Sequence, residues 1–190
     1  KFDGVIGGPP CQTHSVMRYL AAKGNGVPAG VHGDQIPEFE RCVSEARPYW
    51  FLMENVRGAP VPKVRWYEVE SHLVLDVAVG GETSRLRRFS FGCQFGHSGF
   101  HVEELALHNS EPEATVLAGH GPAMGQRVRG IVGRDWKTMA QLQGMPPERI
   151  ATLERDAPFT VHGLKAGIGN GVPLPMGRAV VQAVKRALGL

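Results

Sequence analysis

The feature that most constrains this chain is the run at residues 7–15, Gly-Gly-Pro-Pro-Cys-Gln-Thr-His-Ser, which follows an apolar stretch at residues 2–6. The apolar stretch predicts the end of a buried strand. Two glycines then permit a turn in which a Cβ would clash, and two prolines keep the next backbone rigid. Because open α/β sheets bind ligands at the carboxyl ends of their strands, we expect Cys11 to be an exposed and reactive thiol.

The other two cysteines have no such setting. A cysteine outside a disulfide is most often a small buried hydrophobe, and we expect Cys42 and Cys93 to be of this kind. Cys11, in contrast, follows loop-forming residues and is predicted to be a nucleophile. One alternative pairs Cys11 with His14 in a different class of cysteine enzyme, although nearness in sequence does not itself provide catalytic geometry.

Composition indicates an ordinary globular chain. The chain has 190 residues, of which 42% are hydrophobic and 21% are charged. This length and composition suffice for one hydrophobic core and a small additional subdomain. The formal net charge of +3 is only mildly basic, so nucleic-acid binding would have to rest on local patches. The candidate patches contain Arg85, Arg87, Arg88, Arg127, Arg129 and Arg134. Three widely spaced cysteines, and no apolar run that could span a bilayer, predict a cytoplasmic protein without a membrane segment.

Hydrophobic periodicity predicts the remaining elements. A helix is expected at residues 37–46, where Phe39, Cys42, Val43 and Ala46 recur at helical spacing. Strands are expected at residues 49–53, 72–79 and 88–92, with Glu54 at the end of the first. Further helices are expected at residues 15–23, 138–142, after 146 and at 176–188, the last with a core stripe of Val180, Val181, Val184 and Leu188. Residues 24–30 and 167–175 are rich in glycine and predict loops.

Five short motifs in order resemble the DNA cytosine-5 methyltransferase family. The first is Gly-Pro-Pro-Cys-Gln at residues 8–12, with Ser15 three residues beyond the Gln. The others are Glu-Asn-Val at residues 54–56, Arg-Leu-Arg-Arg-Phe at 85–89, Gln-Leu-Gln-Gly-Met-Pro at 141–146 and Gly-Asn-Gly-Val-Pro at 169–173. The third motif departs from the family pattern, because Thr83 stands where a Gln is expected. Together the motifs cover nearly the whole chain.

The resemblance implies a fold and a division of the chain. The fold would be α/β, a Rossmann-like S-adenosylmethionine-dependent methyltransferase fold with a mixed sheet. The family's glycine-rich first loop and its ribose-binding acidic residue precede the nucleophile loop, so we expect the amino-terminal strands to be missing. A separately encoded amino-terminal half is one explanation. The expected regions are a catalytic core at residues 1–92, a shortened target-recognition insertion at 93–133 and a carboxyl-terminal segment returning to the core at 134–190.

The resemblance also implies roles for individual residues. Cys11 would attack carbon 6 of a flipped cytosine in double-stranded DNA, and Glu54 would protonate N3 of that base. Because Arg85 and Arg87 are two residues apart, an extended backbone would point both at the base carbonyl and a nearby phosphate. The resemblance assigns Pro9, Asn170 and Val172 to S-adenosylmethionine and assigns Pro10, Gln12, Ser15 and Asn55 to the DNA. The implied activity is DNA cytosine-5 methylation, as in restriction-modification systems.

Two other interpretations stay open at this point. The chain could be a truncated or degenerate remnant that binds DNA weakly and methylates nothing. Separately, Cys93, His97, His101 and His108 could ligate zinc, but their spacing matches no familiar zinc motif, and we predict no metal.

Overall fold

The computed structural model describes residues 2–10, 14, 33–94, 99–105, 111–117 and 134–190. The strands in these residues are β1 (Gly4–Gly7), β2 (Trp50–Val56), β3 (Glu68–Leu75) and β4 (Leu86–Cys93). The helices are α1 (Ile36–Ala46), α2 (Trp136–Leu142), α3 (Pro147–Asp156), α4 (Val161–Asn170) and α5 (Leu174–Ala187), and Asp76–Val79 forms a 3-10 turn. The chain divides into two compact units, residues 1–74, 86–102 and 180–190 in the first and residues 75–85 and 103–179 in the second.

The sheet is mixed, as predicted. Its strand order is β1-β2-β4-β3. β1 and β2 are parallel, with Gly4 opposite Trp50 and Gly7 opposite Met53. β2 and β4 are antiparallel, with Trp50 opposite Cys93 and Val56 opposite Arg87. Parallel neighbours need a crossover connection between them, and α1 lies in that connection.

Helix α1 covers one face of the sheet and forms the core of the first unit. Its buried residues, Ile36, Phe39 and Val43, pack with Phe51 and Met53 of β2. The rings of Phe39 and Phe51 meet edge to face with centroids 5.7 Å apart. The helix ends where Arg47 adopts a left-handed φ of 48°. This packing fixes the positions of β1 and β2, which lead to the candidate site.

The second unit has a helical core. Trp136 and Ala140 of α2 pack with Ile150 of α3, and partly buried side chains of α3 and α4 surround them. Helix α2 begins at Asp135, whose Oδ1 accepts a hydrogen bond of 2.7 Å from the backbone N–H of Thr138. After α2 the chain reverses at Gly144, where φ is 73° and a Cβ would lie 2.7 Å from Pro175 Cδ. Glycine is therefore required at this position.

The sequence interpretation was wrong about two segments. The strand expected to continue to residue 79 ends at Leu75, because Asp76 turns the chain through hydrogen bonds from Thr83 N and Thr83 Oγ1 to its Oδ2, at 3.0 and 2.7 Å. The loop expected at residues 167–175 is confined to residues 171–173, because α4 extends through Asn170. Thr160 begins α4 by accepting a hydrogen bond of 3.1 Å from Gly163 N.

Two burial predictions were also wrong. The buried residues of α5 are Met176, Val180, Ala183 and Val184, whereas Val181 is 51% exposed. Cys42 is exposed as well, since the buried side of α1 is confined to Ile36, Phe39 and Val43. Cys93 is half-buried. The expected helix at 15–23, the loop at 24–30 and most of the region 93–133 lie outside the described residues, and the predicted domain boundaries stay predictions.

Candidate active site

The carboxyl ends of β1 and β2 lie side by side. Gly7 is opposite Met53 in the parallel register, so Gly8 and Glu54 follow at the same edge of the sheet. A Cβ on Gly8 would lie 3.4 Å from Glu54 Oε2, which places the carboxylate directly against the start of the glycine-proline turn. Cys11, Gln12 and Ser15, which follow this turn in sequence, lie outside the described residues.

Asn55 joins β2 to the turn. It is 1% exposed, its Nδ2 donates a hydrogen bond of 3.2 Å to the carbonyl of Pro9, and its Oδ1 accepts one of 2.8 Å from Val56 N. Both ends of the amide are therefore occupied by backbone. Pro9 is half-buried under this contact and Pro10 is exposed. The predicted contacts of Asn55 and Pro10 with DNA stay predictions, but Asn55 has an anchoring contact that the sequence did not reveal.

Glu54 and Arg87 form an ion pair on one face of the sheet. Glu54 is opposite Phe89 on the antiparallel neighbour, and Arg87 is two residues away from Phe89, so the two side chains are diagonal neighbours. Arg87 Nε lies 2.9 Å from Glu54 Oε1, with the side chains 18% and 23% exposed. The pair thus offers an acceptor and a fixed cation that solvent reaches only partly.

Arg85 belongs to the second unit and precedes β4, which begins at Leu86. It is 2% exposed, and its guanidinium donates to the carbonyls of Val116, at 2.8 Å, and Gly169, at 3.1 Å. These bonds join two segments of the second unit. The predicted contact of Arg85 with a base or phosphate stays a prediction.

Val172 lines a concavity of the second unit, and Asn170 precedes another lining residue, Gly171, in the sequence. Asn170 is the last residue of α4 and is exposed, and Val172 is 38% exposed. The concavity has a volume of about 550 Å³, and its mostly apolar lining includes Met145, Pro146, Ile168, Val172 and Leu174. Gln143 holds one wall in place, because its Nε2 donates a hydrogen bond of 2.6 Å to the carbonyl of Ile168. The space and its lining suit a ring system of nucleoside size.

Residues 1–65 match the family model of the C-5 cytosine-specific DNA methylases. This part of the chain is similar to that family. Over 58 residues the chain is 48% identical to the type II methyltransferase M.AquIA of Picosynechococcus sp. and 41% identical to the type II methyltransferase M.FnuDI of Fusobacterium nucleatum. Each match covers 30% of this chain, and the two matches span 21% and 15% of the lengths of these relatives.

Solved structures show the same fold. The Dnmt2 methyltransferase of S. pombe gives a TM-score of 0.64 at 11% identity, covering 99% of this chain and 79% of that one. The methyltransferase EhMeth of Entamoeba histolytica gives 0.60 at 9% identity, covering 98% and 78%. The resemblance to the C5 methylases and the α/β methyltransferase fold with a mixed sheet are therefore confirmed.

The methylase segment contains one contact that the sequence interpretation missed. His14 Nε2 lies 3.2 Å from Asp34 Oδ1. The same oxygen accepts a hydrogen bond of 3.0 Å from Ile36 N at the start of α1. This backbone hydrogen bond, followed by the contact with His14, lowers the pKa of Asp34. An Asp three residues before the helix predicted at 37–46 was the available signal, but nothing in the sequence connected it to His14.

The remaining sequence hypotheses concern metals and membranes. Of the four zinc candidates, His97 and His108 lie outside the described residues. Within the described part of the chain, no three Cys, His, Asp or Glu side chains form a group that could hold a metal. No helix among the described residues is long and apolar enough to cross a membrane.

Proposed function

We propose that this chain is the catalytic part of a DNA cytosine-5 methyltransferase and that it works through a covalent adduct of Cys11. The observation that carries the proposal is the position of Glu54, whose carboxylate lies against Gly8 at the start of the turn that leads to Cys11. This turn and Glu54 both belong to the segment that matches the C5 methylase family model. A thiol and a carboxyl group that follow adjacent parallel strands are suited to act on one base.

The chemistry assigns each group a step. Carbon 5 of cytosine is a poor nucleophile, and addition of the Cys11 thiolate to carbon 6 makes the ring enamine-like at carbon 5. Glu54 supplies the proton that neutralises charge developing at N3. Arg87, whose guanidinium lies beside Glu54, binds the base carbonyl or a phosphate of the flipped nucleotide. Loss of the carbon 5 proton after methylation then releases Cys11.

S-adenosylmethionine is the proposed methyl donor and supplies an electrophilic methyl group bound to a sulfonium sulfur. The residues present suit part of this molecule. The exposed amide of Asn170 provides a donor and an acceptor for polar groups, and Val172 provides an apolar wall beside the concavity of the second unit. We assign Asn170 and Val172, with Pro9, to cofactor binding.

The proposed substrate is double-stranded DNA from which the target cytosine is flipped. Gln12, Ser15 and Pro10 are assigned to the DNA, and Arg85 is assigned with Arg87 to the base or its phosphate. A separately encoded amino-terminal half is the proposed partner, and a reducing cytoplasm, which preserves a working thiol, is the proposed location. The family match does not favour the alternative of a non-catalytic remnant.

The test is covalent trapping on DNA that carries 5-fluorocytosine at the target. Fluorine cannot leave as a proton, so Cys11 stays bound to the base and the complex survives a denaturing gel. With S-adenosylmethionine and a complementing amino-terminal half, we expect a trapped band. Glu54→Gln should slow its formation without weakening DNA binding, because the carboxyl acts only on charge that develops in the transition state.

Two matched cysteine variants make the assay specific. Cys11→Ser should abolish the trapped band, because a hydroxyl is far less ionised than a thiol at neutral pH. Cys42→Ser alters an exposed cysteine on α1 and should leave the band unchanged. A band that persists in Cys11→Ser would remove Cys11 from the mechanism and overturn the proposal.

A further inference from the structure

His14 and Asp34 are distant in sequence but meet in the first unit. The Nε2–Oδ1 distance is 3.2 Å, and the side chains are 20% and 40% exposed. His14 follows Cys11 by three residues, and the glycine-proline run at residues 7–10 precedes Cys11. The contact therefore concerns the chain immediately downstream of the proposed nucleophile.

Both partners of this contact are attached to fixed parts of the unit. Asp34 Oδ1 accepts the hydrogen bond from Ile36 N, and Ile36 is buried in the core beneath α1. The backbone of His14 lies against Gly58, just beyond β2, so closely that a Cβ on Gly58 would be 2.9 Å from the His14 carbonyl oxygen. His14 is thus held by its side chain on one side and by its backbone on the other.

We propose that His14 is a positioning residue for Cys11, acting through Asp34 and the Gly58 backbone. The inference rests on the proposed function, since it concerns the geometry of that reaction. Upstream of Cys11, Asn55 holds the carbonyl of Pro9 at 3.2 Å. Downstream of Cys11, the contacts of His14 with Asp34 and with the backbone at Gly58 attach the chain a second time. Residues on both sides of Cys11 in the sequence therefore have such contacts, Pro9 with Asn55 of β2 and His14 with Asp34 and Gly58.

This role differs from a general contribution to stability. A polar contact between partly exposed side chains adds little to the free energy of unfolding. Small displacements of a reacting group, in contrast, reduce rates strongly, because catalysis needs the attacking atom in a near-attack geometry. A positioning role therefore predicts a slower covalent step with an unchanged unfolding midpoint and unchanged DNA affinity.

The experiment compares His14→Leu, Asp34→Ala and His14→Gln in the trapping assay at saturating 5-fluorocytosine DNA. The first two variants should slow trapping about fivefold, which corresponds to about 1 kcal/mol at 1.4 kcal/mol per tenfold. Combining them should slow it no further than the slower single variant, because both remove the same contact. His14→Gln should recover much of the rate, since its amide nitrogen can donate to Asp34. His162→Leu, an exposed histidine on α4, is the matched control and should trap at the wild-type rate.

A second readout needs neither DNA nor methyl donor. Hydrogen exchange of the peptide covering residues 9–16 should accelerate in His14→Leu and Asp34→Ala, while exchange in β2 stays unchanged. Gly58→Ala should accelerate hydrogen exchange in the same peptide, because the added Cβ displaces the His14 backbone. This variant alters neither His14 nor Asp34.

The outcomes separate this inference from the proposed function. If the wild-type protein is not trapped on DNA, the proposed function fails, and the exchange data still decide whether the pair holds the nucleophile segment. If the wild type is trapped and His14→Leu and Asp34→Ala match it in trapping rate, the positioning role is refuted. The role is equally refuted if the variants are slower only in proportion to a lowered unfolding midpoint.

Discussion

Replacing Asn55 by alanine is expected to destabilise the first unit by about 2 kcal/mol. The side chain makes two hydrogen bonds to backbone, to the Pro9 carbonyl and from Val56 N, and it is 1% exposed. Each such bond contributes roughly 1 kcal/mol net, and a buried partner left without a bond raises the loss above that sum. The upper end of the expected loss is therefore about 3 kcal/mol.

Urea unfolding measures this loss. With a slope of roughly 2 kcal/mol per molar for a chain of this size, the expected change lowers the midpoint by about 1 M. Asn55→Asp keeps the acceptor for Val56 N but replaces the donor to Pro9 by a carboxylate oxygen, so it should lose at least as much stability as alanine. Asn170→Ala alters an exposed amide at the end of α4 and serves as the control, with an expected change within about 0.5 kcal/mol.

The result that would refute this reasoning is a midpoint for Asn55→Ala equal to that of Asn170→Ala. Such a result would mean that the hydrogen bond from Asn55 to Pro9 adds nothing to the free energy of unfolding. The turn before Cys11 would then be held by its own prolines. A large loss in Asn55→Ala together with none in Asn55→Asp would place the whole effect at Val56 N and would likewise exclude the anchoring of Pro9.

Two further predictions concern charged side chains. Arg85→Met should lower the free energy of unfolding by about 2–4 kcal/mol, and with it the thermal midpoint, because the carbonyls of Val116 and Gly169 lose charged donors. The control variant Arg155→Met, which removes an exposed ion pair, should leave the thermal midpoint nearly unchanged. A midpoint equal to that of Arg155→Met would contradict the structural role of Arg85. The folded state lowers the pKa of Asp34, so the stability contributed by its carboxylate is present above the unfolded pKa and is lost as pH falls through the folded one. The stabilising difference in urea midpoint between wild type and Asp34→Asn should therefore be present above about pH 5 and shrink below about pH 4, and a difference that grows in acid would contradict this sign.

The elements around the candidate site could be predicted because their signals are local. The apolar runs before Gly7 and Glu54 mark strands, and the helical recurrence of Phe39 and Val43 marks α1 between them. A helix between two strands also predicts that the strands are parallel, so that Gly8 and Glu54 lie at one edge. The structure shows that these three local patterns place the two strand ends side by side.

The errors arose where distant residues decide the local structure. The turn at Asp76 depends on hydrogen bonds from Thr83 to a buried carboxylate, which no periodicity indicates. Helix α4 contains Gly163, Gly167 and Gly169, and because glycine is typical of loops rather than helices, the end of this helix fell within the loop predicted at residues 167–175. Its packing in the core around Trp136 and Ile150, through Leu164 and Ile168, outweighs that propensity. The two-residue spacing of Arg85 and Arg87 assumes extended backbone through both residues, whereas the strand begins at Leu86; their convergence on one ligand stays a prediction.

The Glu54–Arg87 pair also constrains how the proposed reaction begins. A general acid must hold a proton, so the proposed role requires Glu54 to take up a proton from solvent before the covalent step. The guanidinium of Arg87, whose Nε lies 2.9 Å from Glu54 Oε1, would turn to the carbonyl oxygen of a bound cytosine. In this proposed scheme base binding and protonation of Glu54 are coupled, which would withhold acid catalysis until the substrate is in place. Arg87→Leu should accordingly weaken base binding and also remove this coupling, whereas Glu54→Gln should impair only the covalent step.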